Sequence, residues 1–318
     1  SDIREAQGKM PWRVDWSARW GLHEITCEPA GKDHGAAGGS YDTGIPISRI
    51  LEYEPPAKMV YEWIQIKGGG PMSSSAGNTI GPIETLGIVP PEIVRYLVAR
   101  TKMSKHIDFN TGNMLFEIAD EYERLASNPP TLDPDSPRRK QVATETALGA
   151  LRMSQIKTTQ DRGQDQVPFR HLSMLAQIRS NDREIWSSLT KSGHIKGEPD
   201  GALRTRLKKM RNWIGSDHFP EDHRLKISTK VPEKLLGEMS NPQIEFLRSL
   251  ASSLSSSEWS EPSIGSAIVA TMDESPVSRK ECYTAIYLAL IGQERGPKIS
   301  TLISECDQNS IVNLFRLG

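Results

Sequence analysis

Cysteine is scarce in this chain of 318 residues: Cys27, Cys282 and Cys306 are its three thiols. None stands in a Cys-x-x-Cys pair, so neither a disulfide framework nor a cysteine-built zinc site is encoded. No structural metal is expected, and scattered thiols suit a reducing cytoplasm. Charge of one sign is lacking as well, since 39 Lys and Arg face 40 Asp and Glu for a formal net charge of -1. No whole-protein field draws the chain to nucleic acid, and any such binding has to come from local basic faces. No apolar run approaches the roughly 18 residues that cross a bilayer. There is no repeat at a fixed period and no charged-then-apolar leader; Ser1 to Arg13 read like the interior of a larger chain. The remaining composition, 36% hydrophobic and 25% charged, is that of an ordinary globular protein with room for two or three domains.

Glycine and serine are concentrated in one place. Gly-Gly-Gly-Pro-Met-Ser-Ser-Ser-Ala-Gly-Asn at 68–78 follows the strand-like run Met59 to Ile66. Glycines admit close backbone approach, and serine hydroxyls and amides donate to oxygens, so such a loop can wrap a polyphosphate. The same composition serves an ordinary surface linker. Upstream, the strand candidate Ile25 to Glu28 runs into a second glycine-rich turn, Pro29 to Ser40, that could open a helix. Two strand-to-loop units of this kind build a nucleotide crevice at the carboxyl ends of strands in open α/β sheets.

From Val14 to about Thr85, short strands alternate with glycine-rich or helical stretches, with a helix near Ile47 to Leu51. Pro90-Pro91 starts a helix whose apolar face is Ile93, Val94, Leu97 and Val98. Residues 126–140 hold four prolines and few apolar side chains, which predicts an exposed connection. From Pro168 onward the pattern is helical, with Asn241-Pro242 and Gly296-Pro297 each read as a cap followed by a first-turn proline, and Ser252 to Ser260 read as a loop. Leu203, Leu207, Met210 and Ile214 recur at helical spacing, and Arg204, Arg206, Lys208, Lys209 and Arg211 populate the other faces. The expectation is an α/β part followed by an all-α part.

Several ordered blocks together are more specific than any one loop. Trp-Arg-Val-Asp-Trp-Ser-Ala-Arg-Trp at 12–20, Gly-Lys-Asp-His-Gly-Ala-Ala-Gly-Gly-Ser-Tyr-Asp at 31–42, Pro-Met-Ser-Ser-Ser-Ala-Gly-Asn at 71–78 and Pro-Pro-Glu-Ile-Val-Arg-Tyr-Leu-Val-Ala-Arg at 90–100 resemble the class I lysyl-tRNA synthetase found mainly in archaea. Val-Pro-Phe-Arg-His-Leu at 167–172 and Gly-Gln-Glu-Arg-Gly-Pro-Lys at 292–298 extend the resemblance. It implies the second half of a class I Rossmann-like catalytic domain over residues 1–84, a connecting, stem-contact domain over 85–165, and a helical anticodon-binding bundle, or helix cage, over 166–318. The implied activity is a cytoplasmic lysine–tRNA ligase that takes ATP with Mg2+ as substrate, activates lysine and charges tRNA(Lys).

Carried over residue by residue, the resemblance implies that Ser73, Ser74 and Ser75 act on the phosphates. Gly31, Asp33, His34, Gly38, Gly39, Met72, Gly77 and Asn78 complete the ATP site. Trp12, His34 and Tyr61 line the lysine slot, leaving Trp16, Trp20 and Trp63 to packing. Arg204, Lys208, Lys209 and Arg211 are the tRNA candidates.

The sequence departs from the family where its second signature carries lysines, with Pro71 and Ala76 in their place. Either Lys67 substitutes or hydroxyls and amides suffice. Lys102-Met103-Ser104-Lys105-His106 spells that signature more literally, but it follows a helix and lacks the flanking glycines. The first class I signature, His-x-Gly-His or a variant, is absent, so the resemblance implies a carboxyl-terminal part with weak or no activity alone. Two readings compete with it: a non-catalytic tRNA-binding module that keeps half a nucleotide fold as scaffold, and a class I enzyme of the glutamyl-tRNA synthetase type.

Overall fold

The computed structural model describes residues 8–66, 70–71, 80–156 and 167–317. In chain order the described elements are α1 (Trp12–Leu22), β1 (Cys27–Gly31), α2 (Lys32–Gly35), α3 (Ser40–Ile50), β2 (Ala57–Tyr61), β3 (Ile64–Ile66), β4 (Gly70–Pro71), α4 (Pro82–Ile88), α5 (Pro91–Arg100), β5 (Ile107–Phe109), α6 (Asn113–Ser127) and α7 (Arg138–Ser154). The rest is helical: α8 (Phe169–Ile178), α9 (Asp182–Lys191), α10 (Gly201–Ile214), α11 (Glu233–Glu238), α12 (Asn241–Ser255), α13 (Glu261–Asp273), α14 (Arg279–Ile291), α15 (Ile299–Ser304) and α16 (Gln308–Arg316). The chain divides into two compact units. The first comprises residues 1–81, 94–110 and 130–154, and the second residues 82–93, 111–129 and 155–318. The stretch 85–165, expected as one connecting segment, is thus shared between them.

In the first unit β1 and β2 pair in parallel, with Cys27 opposite Ala57 and Gly31 opposite Tyr61, so both strands end at one edge. The helices α2 and α3 make the crossover between them. Gly35 lies so close to β2 that a Cβ there would fall 2.5 Å from a methyl of Val60. Helix α1 packs on α3 through Trp20, 1% exposed, whose ring centroid lies 5.3 Å from that of Tyr41. Burying an aromatic of this size contributes about 1.5–3 kcal/mol.

The strand candidate Ile25 to Glu28 is displaced toward Gly31, and the run Met59 to Ile66 is two strands of different sheets. β2 ends at Tyr61, and β3 pairs in parallel with β5 and antiparallel with β4. Partnering decides this, because Pro29 and Gly31 have little strand propensity of their own.

In the second unit the helices α8 to α16 enclose an apolar core that includes Leu172, Leu203, Leu250, Ile268, Ile286, Leu290 and Phe315. Trp213 is fully buried among Phe116, Phe169 and Phe219, and its indole N–H donates to the Thr111 carbonyl at 2.7 Å. Side-chain caps fix the helix starts. Asp200 accepts from the Leu203 amide, Asp307 from the Ser310 amide, and Ser278 with Glu281 forms a capping box on α14.

Two expected boundaries move. The cap of α12 is Ser240, boxed with Gln243, rather than Asn241. The serine-rich stretch begins as helix, since α12 continues to Ser255 with Leu254 buried beneath it.

Candidate active site

The common edge of β1 and β2 opens into a cavity of about 490 Å³ in the first unit, within the range of small-molecule sites. The turn Gly31 to His34 forms one wall, and Tyr61, Trp63 and Ile64 form another. His34 is exposed, its Nδ1 lies 3.3 Å from the Ser40 hydroxyl, and its ring stands edge-on to Trp12 with centroids 5.4 Å apart. Trp12 and Tyr61 are each about half exposed, at 50% and 48%. Large apolar faces left in solvent beside a cavity are available to a ligand in a way that Trp20 is not.

Gly38 and Gly39 have structural reasons of their own. Gly38 has φ +73°, and its amide donates to Asp42 Oδ2 at 2.9 Å. A Cβ on Gly39 would lie 2.7 Å from the His34 carbonyl oxygen and 2.8 Å from that of Ala36. The turn therefore needs glycine there to close on itself, with or without a ligand. Asp33 is exposed in the same wall.

Met72, Ser73, Ser74, Ser75, Gly77 and Asn78, with Lys67, lie outside the described residues. The sequence-predicted residues that the structure brings together are therefore Gly31, Asp33, His34, Trp12 and Tyr61.

Sequence reasoning missed several residues of this cavity. Trp63, assigned to packing, is 40% exposed and lines it, because the strand run breaks at Glu62-Trp63 and turns the indole outward. Lys102, Met103 and Lys105 also line it. Glu62 forms an ion pair with Lys32 at 2.9 Å and lies 3.4 Å from His106 Nδ1.

In the second unit, α10 is less free than its basic composition suggests. Arg206 is 7% exposed and pairs with Glu123, so it does not belong to a solvated face. Burial pushes the Glu123 carboxyl above the usual carboxylate range, and the Arg206 guanidinium and the Phe169 amide pull it back down. Arg204 pairs with Glu198 and donates to the Pro199 carbonyl, Arg211 pairs with Asp182, and Lys209 donates to the Leu86 carbonyl. Lys208 is exposed and has no ion pair among the described residues.

Residues 1–150 match the family of tRNA synthetases class I (K). The chain is 36% identical over 93% of its length to a lysine–tRNA ligase of Archaeoglobus fulgidus, covering 55% of that protein. It is 33% identical over 99% of its length to one of Picrophilus torridus, covering 60%, and 34% identical over 97% to one of Methanosarcina barkeri, covering 58%. The chain is thus similar to class I tRNA synthetases (K) over residues 1–150 and to lysine–tRNA ligases along nearly all of its length, and it spans a little over half the length of these curated relatives. No helix among the described residues is long and apolar enough to cross a membrane.

Proposed function

We propose that this chain is the part of a lysine–tRNA ligase that grips ATP and lysine at the cavity beside Gly31 and binds tRNA(Lys) through its helical unit. The observation that carries the reading is the meeting of the Gly31–His34 turn, Tyr61 and the Trp12–His34 pair at the common end of two parallel strands. In the first step a lysine carboxylate oxygen attacks the α-phosphate of ATP, the α–β bridge breaks, and pyrophosphate leaves with its Mg2+. In the second, a hydroxyl of the terminal tRNA ribose attacks the lysyl carbonyl, and AMP leaves.

Little of this is covalent work for the protein, so catalysis rests on positioning and on charge stabilisation. Asp33 accepts from a ribose hydroxyl. Trp12 and Tyr61 flank the lysine methylenes, with His34 toward the amino acid, because an aromatic slot discriminates against shorter side chains. Ser73, Ser74 and Ser75 donate to the phosphates. Lys208, with its neighbours on α10, meets the tRNA backbone.

ATP–pyrophosphate exchange tests the reading, with the chain alone and with the segment of its curated relatives that it does not span supplied in trans. Lysine-dependent exchange in the supplemented sample is the expected result. Exchange driven by glutamate instead would replace the amino acid assignment. The absence of signature lysines at Pro71 and Ala76 favours one other reading, a tRNA-binding module without catalysis. Retained tRNA binding with no exchange under any supplement would establish that module.

A further inference from the structure

We infer that Lys102 and Lys105 supply the positive charge that receives the polyphosphate of the nucleotide in the Gly31 cavity. This rests on the adenylate reading above. A nucleotide polyphosphate carries several negative charges, and the leaving pyrophosphate gains more as the α–β bridge breaks, so a site that holds it needs cations within reach. Residues 68–78 include no Lys, Arg or His.

Lys32, the cation nearest the turn in sequence, is tied to Glu62 at 2.9 Å, and His106 lies against the other oxygen of the same carboxylate. Lys102 and Lys105 line the cavity, are exposed, and have no ion pair with any described residue. A cation already matched to an acid gives little to an incoming anion, and one still in solvent gives more.

Their placement is built in rather than left to a free loop. The segment between α5 and β5 turns back on itself through the Lys105 amide, which donates to the Lys102 carbonyl at 2.9 Å. It is pinned to the β2–β3 connection on both sides. The Glu62 amide donates to the Met103 carbonyl at 3.0 Å, and the Ile107 amide to the Trp63 carbonyl at 2.9 Å. The parallel pairing of Ile64 with Ile107 and Gln65 with Asp108 continues that attachment into the sheet. Glu62 and Trp63 directly follow Tyr61, the partner of Gly31, so the two lysines are carried to the cavity that the glycine-rich turn lines. Two acids line the cavity, Asp33 and Glu62; Glu62 is matched by Lys32, so Asp33 is the one that orients the ligand, with ribose toward Asp33 and phosphates toward the lysines.

The test is calorimetric titration of the chain with AMP, ATP and inorganic tripolyphosphate, comparing Lys102→Ala, Lys105→Ala, the double variant, the double Lys→Arg variant and Lys140→Ala, an exposed residue of α7. The expected result is that the wild type prefers ATP to AMP. The double alanine variant should lose about tenfold or more in ATP affinity while AMP affinity holds. Arginine should restore ATP binding, and Lys140→Ala should change nothing. Tight AMP binding with an ATP preference untouched by the double alanine variant would overturn the lysine assignment and leave the adenylate reading standing. Lysine-dependent tripolyphosphate binding with no response to AMP would do the reverse. A chain that binds none of the three overturns both.

Discussion

Replacing Arg206 with Met separates a structural role on α10 from the RNA binding proposed for that helix. The Arg206 side chain is 7% exposed and that of its partner Glu123 22%, so this pair is not a solvent-screened surface bridge. Glu123 also accepts from the Phe169 amide, at 2.9 and 3.1 Å from its two oxygens, and thereby holds the start of α8. Arg206→Met keeps most of the apolar stem but takes the guanidinium from the Glu123 carboxylate and leaves it the Phe169 amide. Removing one member of a buried pair costs about 3–5 kcal/mol. Glu123→Gln keeps an acceptor for the Phe169 amide and removes the charge, so Arg206→Met in that background should cost about 1 kcal/mol. The resulting coupling is about 2–4 kcal/mol, well above the scatter of independent sites.

The pH dependence has a definite sign. Burial already raises the folded-state pKa of Glu123 above its ordinary 4.5, and losing Arg206 raises it further. A raised carboxyl contributes stability that is lost as pH rises through the folded value, so Arg206→Met should be less damaging at pH 5 than at pH 8. Urea unfolding followed by fluorescence reads both effects. Equal costs in the two backgrounds, or a cost independent of pH, would refute the buried-pair argument. The tRNA arm uses filter binding. Lys208→Ala should lower the slope of log affinity against log salt by about one, whereas Arg206→Met, assayed where it remains folded, should leave that slope unchanged.

Gly39→Ala should destabilise the first unit by about 1–3 kcal/mol, because the added methyl meets two backbone carbonyls that cannot swing away; an unchanged melting temperature would show that the turn relaxes. Ser278→Ala removes the α14 capping box and should cost about 1 kcal/mol in urea unfolding. Burial, and then the neighbouring His194 stacked at 4.6 Å, push His171 below its ordinary 6.5. The unfolded chain therefore takes up a proton that the folded one refuses, and stability falls as pH drops below 6.5. His171→Gln should flatten that slope in a titration of unfolding free energy; a slope unaltered by it would assign the effect elsewhere, for instance to His223, whose pKa burial also lowers.

What could be read from sequence and what could not divide along one physical line. Helix faces are local: Leu203, Leu207 and Met210 sit three or four residues apart, and all are buried as that period demands. Arg206 occupies the same buried side, yet nothing nearby marks it, because the acid that makes its burial tolerable lies 83 residues earlier. Strands are non-local, and β1 shows the consequence. Cys27 to Gly31 includes a proline and a glycine and becomes a strand through its ladder with Ala57 to Tyr61.

The candidate site follows the same rule. The Gly31–His34 turn was legible because glycine spacing and strand ends are written in one stretch. Trp63 was not, since an aromatic in a strand-like run reads as core until a break at Glu62 turns it out. Lys102 and Lys105 were set aside because they follow a helix, and that context is correct, as α5 ends at Arg100. The pairing of β3 with β5, with the backbone bonds of Glu62 and Trp63 beside it, brings the two lysines into the lining of the cavity that the Gly31 turn shares. Position in the chain therefore excludes them as a strand-following phosphate loop, but it says nothing about the cavity wall they reach through the sheet. On the adenylate reading proposed above, the charge absent at Pro71 and Ala76 is to be sought among sheet neighbours rather than among residues close in sequence.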